Sequence, residues 1–315
     1  MGAVNESLVV FGGSSHPKLT EAICSHLGVE PGKVMIHRYA NENIFVQVQQ
    51  NVREKDVFVV QTASSPVNEM IMELLIIIDA LASASARRIT AVLPYYPYAR
   101  SDKKDMPRIS ITARLIADLL KAAGTDRVIT LTLHSPQIHG FFDVPLDHLL
   151  ATRVLCGYFA GRDLSDYVAV APDAGSAKRA GPYAESLNIP LAIGDKRRLG
   201  HTDRVEIVRI VGDVKGKKAI VFDDEIATGA SLVELVGKLE EVGVKEVYAA
   251  AAHGVFCGSA VERIRDCPVR EVVVTDTLPL PPEKQIDKIK VVSVAPLFAE
   301  AIKRIHTGES VSALF

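Results

Sequence analysis

Short apolar runs rich in Val and Ile recur along this chain and alternate with longer segments of helical spacing. In the first half they occupy residues 8–11, 57–61, 89–93 and 128–133, and in the second half 168–171, 218–222, 247–252 and 272–274. Each run is continuously apolar, which predicts a strand covered on both faces. In an alternating strand and helix order that means a mainly parallel sheet with helices on either side, an α/β fold. Residues 176–187 and 231–242 are expected as intervening helices, the second closed by Gly243. The second half thus repeats the scheme of the first. No Gly/Ser-rich linker marks a boundary, so two domains are expected to divide near residue 150, where 143–147 ends one series of elements and Leu149 begins the next. Residues 279–283 are expected as a loop.

Several classes of protein are excluded. The most apolar segment, residues 70–81, is interrupted by Glu73 and Asp79 and is far shorter than the roughly 20 apolar residues of a membrane helix. It reads as a buried core helix, so no membrane partner is expected. The first seven residues carry neither the cationic stretch nor the apolar run of a signal peptide, and a cytoplasmic protein is expected. Cys24, Cys156, Cys257 and Cys267 are too scattered for a disulfide framework or a four-ligand zinc site, which fits a reducing compartment. With 36 Lys and Arg against 38 Asp and Glu, the net charge of −2 leaves no basic excess for a polyphosphate backbone. Nucleic acid is therefore not an expected partner.

Residues able to do chemistry gather just after the apolar runs. The first group is Asp223-Asp224-Glu225-Ile226-Ala227-Thr228-Gly229-Ala230-Ser231. A strand that ends in two acids, followed by a small-residue turn that opens a helix, aims free N–H groups and hydroxyls at an anion such as a sugar phosphate. The acids can accept hydrogen bonds from vicinal ribose hydroxyls, help hold a hydrated Mg²⁺, or simply cap the helix. The second group follows the run at 128–133: His134 leaves its carboxyl end, and Asp143 and Asp147 follow on an expected loop. The third, residues 95–108, carries Arg100, Lys103, Lys104 and Arg108 on a loop with Tyr95, Tyr96 and Tyr98. The cations suit phosphates, and the tyrosines could flank an adenine ring. The fourth joins Asp173, which precedes another small turn, to Lys196 and Arg198, whose alternation on an extended segment points both to one side. No Gly-x-Gly and no Gly-Lys-Ser/Thr occurs, so neither the dinucleotide fingerprint nor a Walker P-loop holds a nucleotide.

Taken in order, Phe11-Gly12-Gly13-Ser14-Ser15-His16, Asn51-Val52-Arg53, Tyr98-Ala99-Arg100, Leu133-His134 through Phe142-Asp143, Pro172-Asp173-Ala174-Gly175, Val221-Phe222-Asp223-Asp224 and the ending Gly308 to Phe315 resemble the ribose-phosphate pyrophosphokinase (phosphoribosyl pyrophosphate, PRPP, synthetase) family nearly end to end. The resemblance implies two similar domains of the type I phosphoribosyltransferase fold. The first would span 1–150 with the segment 295–315 packed back on it, and the second 151–294. It implies transfer of the β,γ-pyrophosphoryl group of ATP to the C1 hydroxyl of ribose 5-phosphate, with Mg²⁺, and a homohexamer built from dimers. On matching positions, Asn41, Asn43, Arg100, Asp102, Lys103 and His134 would bind ATP, and His134, Asp143 and Asp173 would lie at the metal sites. Asp223, Asp224, Ala227, Thr228, Gly229, Ala230 and Ser231 would bind ribose 5-phosphate. Lys196 and Arg198, with His134, would act in catalysis, and Ser310 and Ser312 resemble the tail of members activated by inorganic phosphate.

Four positions depart from the family pattern: Thr132 stands where an Asp is usual, Asn43 where Glu is, Ala227 where a third Asp is, and Arg114 where Lys is common. Two other functions share part of the pattern, a catalytically silent synthetase-associated subunit and a phosphoribosyltransferase that consumes PRPP.

Overall fold

A computed structural model describes residues 7–198 and 205–314, the side chains at 196–198 and 205–208 excepted. The chain opens with β1 (Leu8–Gly12), α1 (Pro17–Leu27), β2 (Val34–Arg38), β3 (Ile44–Val48), β4 (Asp56–Val60), α2 (Val67–Ser83), β5 (Arg88–Leu93), α3 (Thr112–Ala123), β6 (Arg127–Leu131) and β7 (Leu146–Leu149). β1, β4, β5, β6 and β7 form one parallel sheet in that order, while β2 and β3 form a separate antiparallel hairpin. All five residues of β4 are buried, as a strand covered on both faces requires. In α2 the residues Met70, Leu74, Ile77, Ile78 and Leu81 repeat at helical spacing and are buried, so residues 70–81 do form a core helix.

A second series follows: α4 (Thr152–Phe159), β8 (Tyr167–Ala171), α5 (Ala177–Leu187), β9 (Leu191–Arg198), β10 (Val205–Val211), β11 (Lys218–Ile226), α6 (Ala230–Glu241), β12 (Glu246–Gly254), α7 (Ala260–Asp266), β13 (Glu271–Thr275), β14 (Ile289–Val292) and α8 (Ala295–Thr307). Its sheet runs β10-β9-β8-β11-β12-β13-β14, parallel except at the β9/β10 edge. From β1 to β7 and from β8 to β14 the element order is the same: strand, helix, hairpin, then strands and helices in turn. The two copies differ at the hairpin, which is detached in the first and joined to the sheet edge through β9 in the second. The α/β fold expected from the apolar runs is the fold observed.

The chain divides into one unit of Met1–Leu150, Thr277–Pro279 and Val294–Phe315 and another of Ala151–Asp276 and Leu280–Ser293. The helices are exchanged relative to the sequence repeat. α4, which follows β7, packs on α5 in the second unit, and α8, which follows β14, packs on α1 in the first. A buried ionic cluster fastens α8. Asp56 opens β4 and is fully buried, and its carboxylate accepts from Arg88 Nε (2.8 Å) and meets His306 Nδ1 (2.7 Å). Arg88 Nη2 also donates to the Ile305 carbonyl (3.0 Å), so strand and helix share one arginine.

Local details differ from expectation at four places. Asp147 lies in β7 rather than on a loop, because it pairs with Arg127 on the neighbouring β6 (2.6 Å). The strand expected to run to Leu133 ends at Leu131, where Thr132 takes a left-handed φ of 39°. The helix expected from about Ser110 begins at Thr112. The loop at 279–283 contains the start of a single 3-10 turn, Pro282–Lys284. Removing one member of a buried ionic group strands the others, so Asp56→Ala should lower unfolding stability by about 3 kcal/mol or more. Urea unfolding checks this, and a loss near zero would mean that the cluster does not hold α8.

Candidate active site

The polar groups of the first unit collect beyond the carboxyl ends of its strands, where a parallel sheet leaves backbone and side chains open to a ligand. The loops after β1 and β4 are tied together by Glu73, a buried carboxylate on α2. It accepts from the Ser14 N–H (2.6 Å), the Ser14 hydroxyl (2.7 Å) and the Gln61 amide (2.8 Å). Gln61 in turn accepts from the Ser15 N–H (3.1 Å), and a Cβ at Gly13 would lie 2.3 Å from its side-chain oxygen, so only glycine fits there. Between β5 and α3, the cationic loop is pinned at both ends: Ala113 N–H donates to the Ser101 carbonyl (3.1 Å) and the Tyr96 hydroxyl to the Ala113 carbonyl (2.8 Å). Arg100, Lys103, Lys104 and Arg108 are exposed and Asp102 is half-buried. Tyr96 is only 1% exposed and packs edge-on against Phe142, so it is a core residue and not an adenine platform. Tyr98 remains exposed.

His134 is half-buried beyond β6. Thr132, just before it, is a β-branched residue in the left-handed region, a conformation that stores about 1–3 kcal/mol of strain. Asp143 is exposed, and Lys121 Nζ lies 3.0 Å from its carboxylate and holds it below the ordinary aspartate range. Asn41 and Asn43 sit on the exposed turn of the β2/β3 hairpin, where the Asn43 N–H donates to Asn41 Oδ1 (3.3 Å). Ser310 and Ser312 are exposed after α8, and Arg304 Nη1 donates to the Ser310 carbonyl (2.9 Å).

In the second unit Asp173 Oδ1 accepts from the Ser176 N–H (2.8 Å) and hydroxyl (3.0 Å), which fixes the turn into α5. One helical turn on, Arg179 Nη2 reaches Ser176 Oγ (3.2 Å) and Asp224 Oδ1 (2.9 Å) and lies 3.7 Å from Asp223. A single arginine therefore links the two acids at the end of β11 to the turn after β8. The acids do not cap α6: its N-cap is Gly229, with no side-chain bond. Asp224 is buried and its N–H donates to Asp223 Oδ1 (2.9 Å). Burial first, and the neighbouring Asp224 charge second, push the Asp223 carboxyl well above its ordinary range. Ala227, Thr228 and Gly229 form the turn and Ala230 and Ser231 open α6, where first-turn amides lack intrahelical partners. Lys196 and Arg198 lie on β9, in register with Ile207 and Val205; their side chains, and so the side to which they point, lie outside the described residues.

Residues 8–124 match the model of the N-terminal domain of ribose phosphate pyrophosphokinase, and residues 201–315 that of the phosphoribosyl synthetase-associated domain. A ribose-phosphate pyrophosphokinase of Caldanaerobacter subterraneus subsp. tengcongensis is 52% identical over 316 residues, covering all of both chains. The chain belongs to the ribose-phosphate pyrophosphokinase family. Another member, from Deinococcus radiodurans, is 51% identical over 321 residues, again covering all of both chains. The crystal structure of phosphoribosylpyrophosphate synthetase from Mycobacterium smegmatis superposes with a TM-score of 0.91 at 44% identity, over 96% of this chain and all of that one.

Two arginines of this pyrophosphokinase family member hold positions beyond the candidate residues of the sequence. Arg179 stands three residues after Ser176, the N-cap of α5, so the two lie about one helical turn apart. Arg263 reaches the Thr228 carbonyl (2.7 Å) from α7, a contact no local spacing announces. Among the described residues no three His, Cys, Asp or Glu side chains come together as a metal cage. The single carboxylates of Asp143 and Asp173 are hard oxygen donors of the kind that suits Mg²⁺, which keeps water and substrate phosphates as ligands and takes only one or two carboxylates from a protein. A cation at Asp143 would compete with Lys121 for its carboxylate.

The raised Asp223 gives a pH prediction. The folded state holds a proton that the unfolded state has released, so this contribution is full below the ordinary value of about 3.9 and is lost as pH rises through the raised one. Asp223→Asn, always neutral, should gain stability relative to the parent across that window, as read by urea unfolding at a series of pH values. A constant difference would show that Asp223 titrates normally.

Proposed function

We propose that this chain makes PRPP and AMP from ribose 5-phosphate and ATP. One observation carries the reading: a chain similar over its whole length to ribose-phosphate pyrophosphokinases carries an acid pair in the carboxyl-terminal half of β11, followed by a turn that opens a helix. The amides of Thr228, Gly229, Ala230 and Ser231 suit the 5-phosphate. Asp223 and Asp224, steadied by Arg179, suit the ribose hydroxyls. Arg100, Asp102, Lys103 and His134 take ATP, with Asn41 and Asn43 at its base.

In the reaction the C1 hydroxyl oxygen attacks the β-phosphorus, the bond from that phosphorus to the α-bridging oxygen breaks, AMP leaves and the hydroxyl proton is released. Such a transfer asks for positioning and cationic stabilisation, not a covalent nucleophile. Lys196 and Arg198 supply positive charge as it develops on the transferred group. His134, Asp143 and Asp173 are the residues that would hold Mg²⁺, which when bound neutralises phosphate charge and orients the triphosphate. The assembly is a homohexamer built from dimers, working in the cytoplasm; no described helix is long and apolar enough to cross a membrane.

Purified protein incubated with Mg²⁺, ribose 5-phosphate and ATP should yield AMP and PRPP in equal amounts by chromatography. No AMP from a folded sample, with other nucleotides and phosphate also tried, would overturn the reading. Lys196→Ala should lower kcat by orders of magnitude with a smaller change in KM, because a group that acts mainly in the transition state affects turnover. An unchanged kcat removes Lys196 from the machinery. Inorganic phosphate should activate, and replacing Ser310 and Ser312 by Ala should flatten that response; a flat rate in the parent up to tens of millimolar phosphate would refute it.

A further inference from the structure

The turn between β11 and α6 is held from one side by the segment that follows β12. Val255 and Phe256 N–H both donate to the Ile226 carbonyl (3.0 and 3.1 Å), Cys257 N–H to the Ala227 carbonyl (2.9 Å), and Arg263 Nη1 to the Thr228 carbonyl (2.7 Å). Three consecutive carbonyls are thus drawn the same way. In a planar trans peptide the carbonyl and the following N–H point in opposite directions, so this brace turns the amides of Ala227, Thr228 and Gly229 away from it.

The first two anchors are main-chain bonds that almost any sequence could make. The third depends on one side chain, and it sits at the weakest place. Gly229 has φ of 73° and no side chain to resist rotation, so the peptide between Thr228 and Gly229 is the one most easily flipped. Flipping would withdraw the Gly229 N–H from an anion and present the Thr228 carbonyl oxygen to it instead. Arg263 is exposed, and its Nη1 donates to the Thr228 carbonyl. Its guanidinium is spent on a backbone oxygen.

We propose that Arg263 is a positioning residue for ribose 5-phosphate: by holding the Thr228 carbonyl it keeps the turn in the conformation whose amides receive the sugar's phosphate. This rests on the reading of 227–231 as the ribose 5-phosphate turn. Arg263 itself touches no reacting atom, so its loss should be felt as substrate affinity and not as chemistry.

The test compares Arg263→Met, which keeps the stem but cannot donate, with Arg263→Lys, which keeps a donor at nearly the same reach. Binding of ribose 5-phosphate is measured by calorimetry, and KM for each substrate and kcat by AMP formation. Loss of a charge-assisted hydrogen bond predicts that Arg263→Met weakens ribose 5-phosphate binding and raises its KM by about tenfold or more. KM for ATP and kcat at saturation should stay within about twofold, and Arg263→Lys should recover most of the loss. Parent protein that binds no ribose 5-phosphate overturns the reading of the turn and the proposal with it. Parent that binds, with Arg263→Met unchanged, overturns the proposal alone. Equal impairment of the Met and Lys variants also overturns it, since a donor at that reach would then make no difference. Melting curves verify folding, and Arg263→Ala replaces the Met variant if that one unfolds.

Discussion

A parallel strand buried on both faces has nowhere to put a polar side chain except at its ends, and that constraint arranges this molecule. β4 and β8 are buried at every residue. The candidate loops and acids therefore gather toward the carboxyl ends: Ser14, Gln61, Arg100, His134 and Asp173 lie beyond them, and Asp223 lies in the carboxyl-terminal half of β11. One buried charge at the other end of a strand shows what such a placement requires. Asp56 opens β4 with no exposure at all, and it is tolerated only because Arg88 and His306 come to it from another strand and a distant helix.

The same constraint explains what could be read in the sequence. Continuous apolar runs announce two-faced burial directly, so the alternating order, the parallel pairing and the core helix at 70–81 were all legible. The candidate segments could be picked out because each follows such a run within a few residues. What could not be read depends on partners far away in the chain. Nothing local reveals that Asp147 belongs to a strand, since its reason is Arg127, or that Tyr96 is buried, since its reason is the Ala113 carbonyl. Glu73 looked like a break in an apolar helix, whereas it is the acceptor that joins two loops.

The arginines show a related limit. Lys-Arg pairs and clusters in sequence suggest charge facing solvent or phosphate, but Arg179 serves two protein acids and Arg263 a protein carbonyl. Both contact residues of the proposed ribose 5-phosphate site. At Thr132 the backbone adopts a conformation that aspartate, usual there in the family, tolerates more easily than a β-branched residue. That departure therefore adds backbone strain beside His134 as well as removing a carboxylate.

The exchange of α4 and α8 also has a consequence for how the molecule is made. The second unit lies within residues 151–293, but the first needs α8, the last helix of the chain. On the ribosome the unit begun first cannot be finished until α8 has been made, by which point the unit begun second already has all its parts. Asp56 stays unpaired with His306 until the whole of the second unit has been synthesised. A chain cut short before α8 would hold one unit with all its parts and one that can never close.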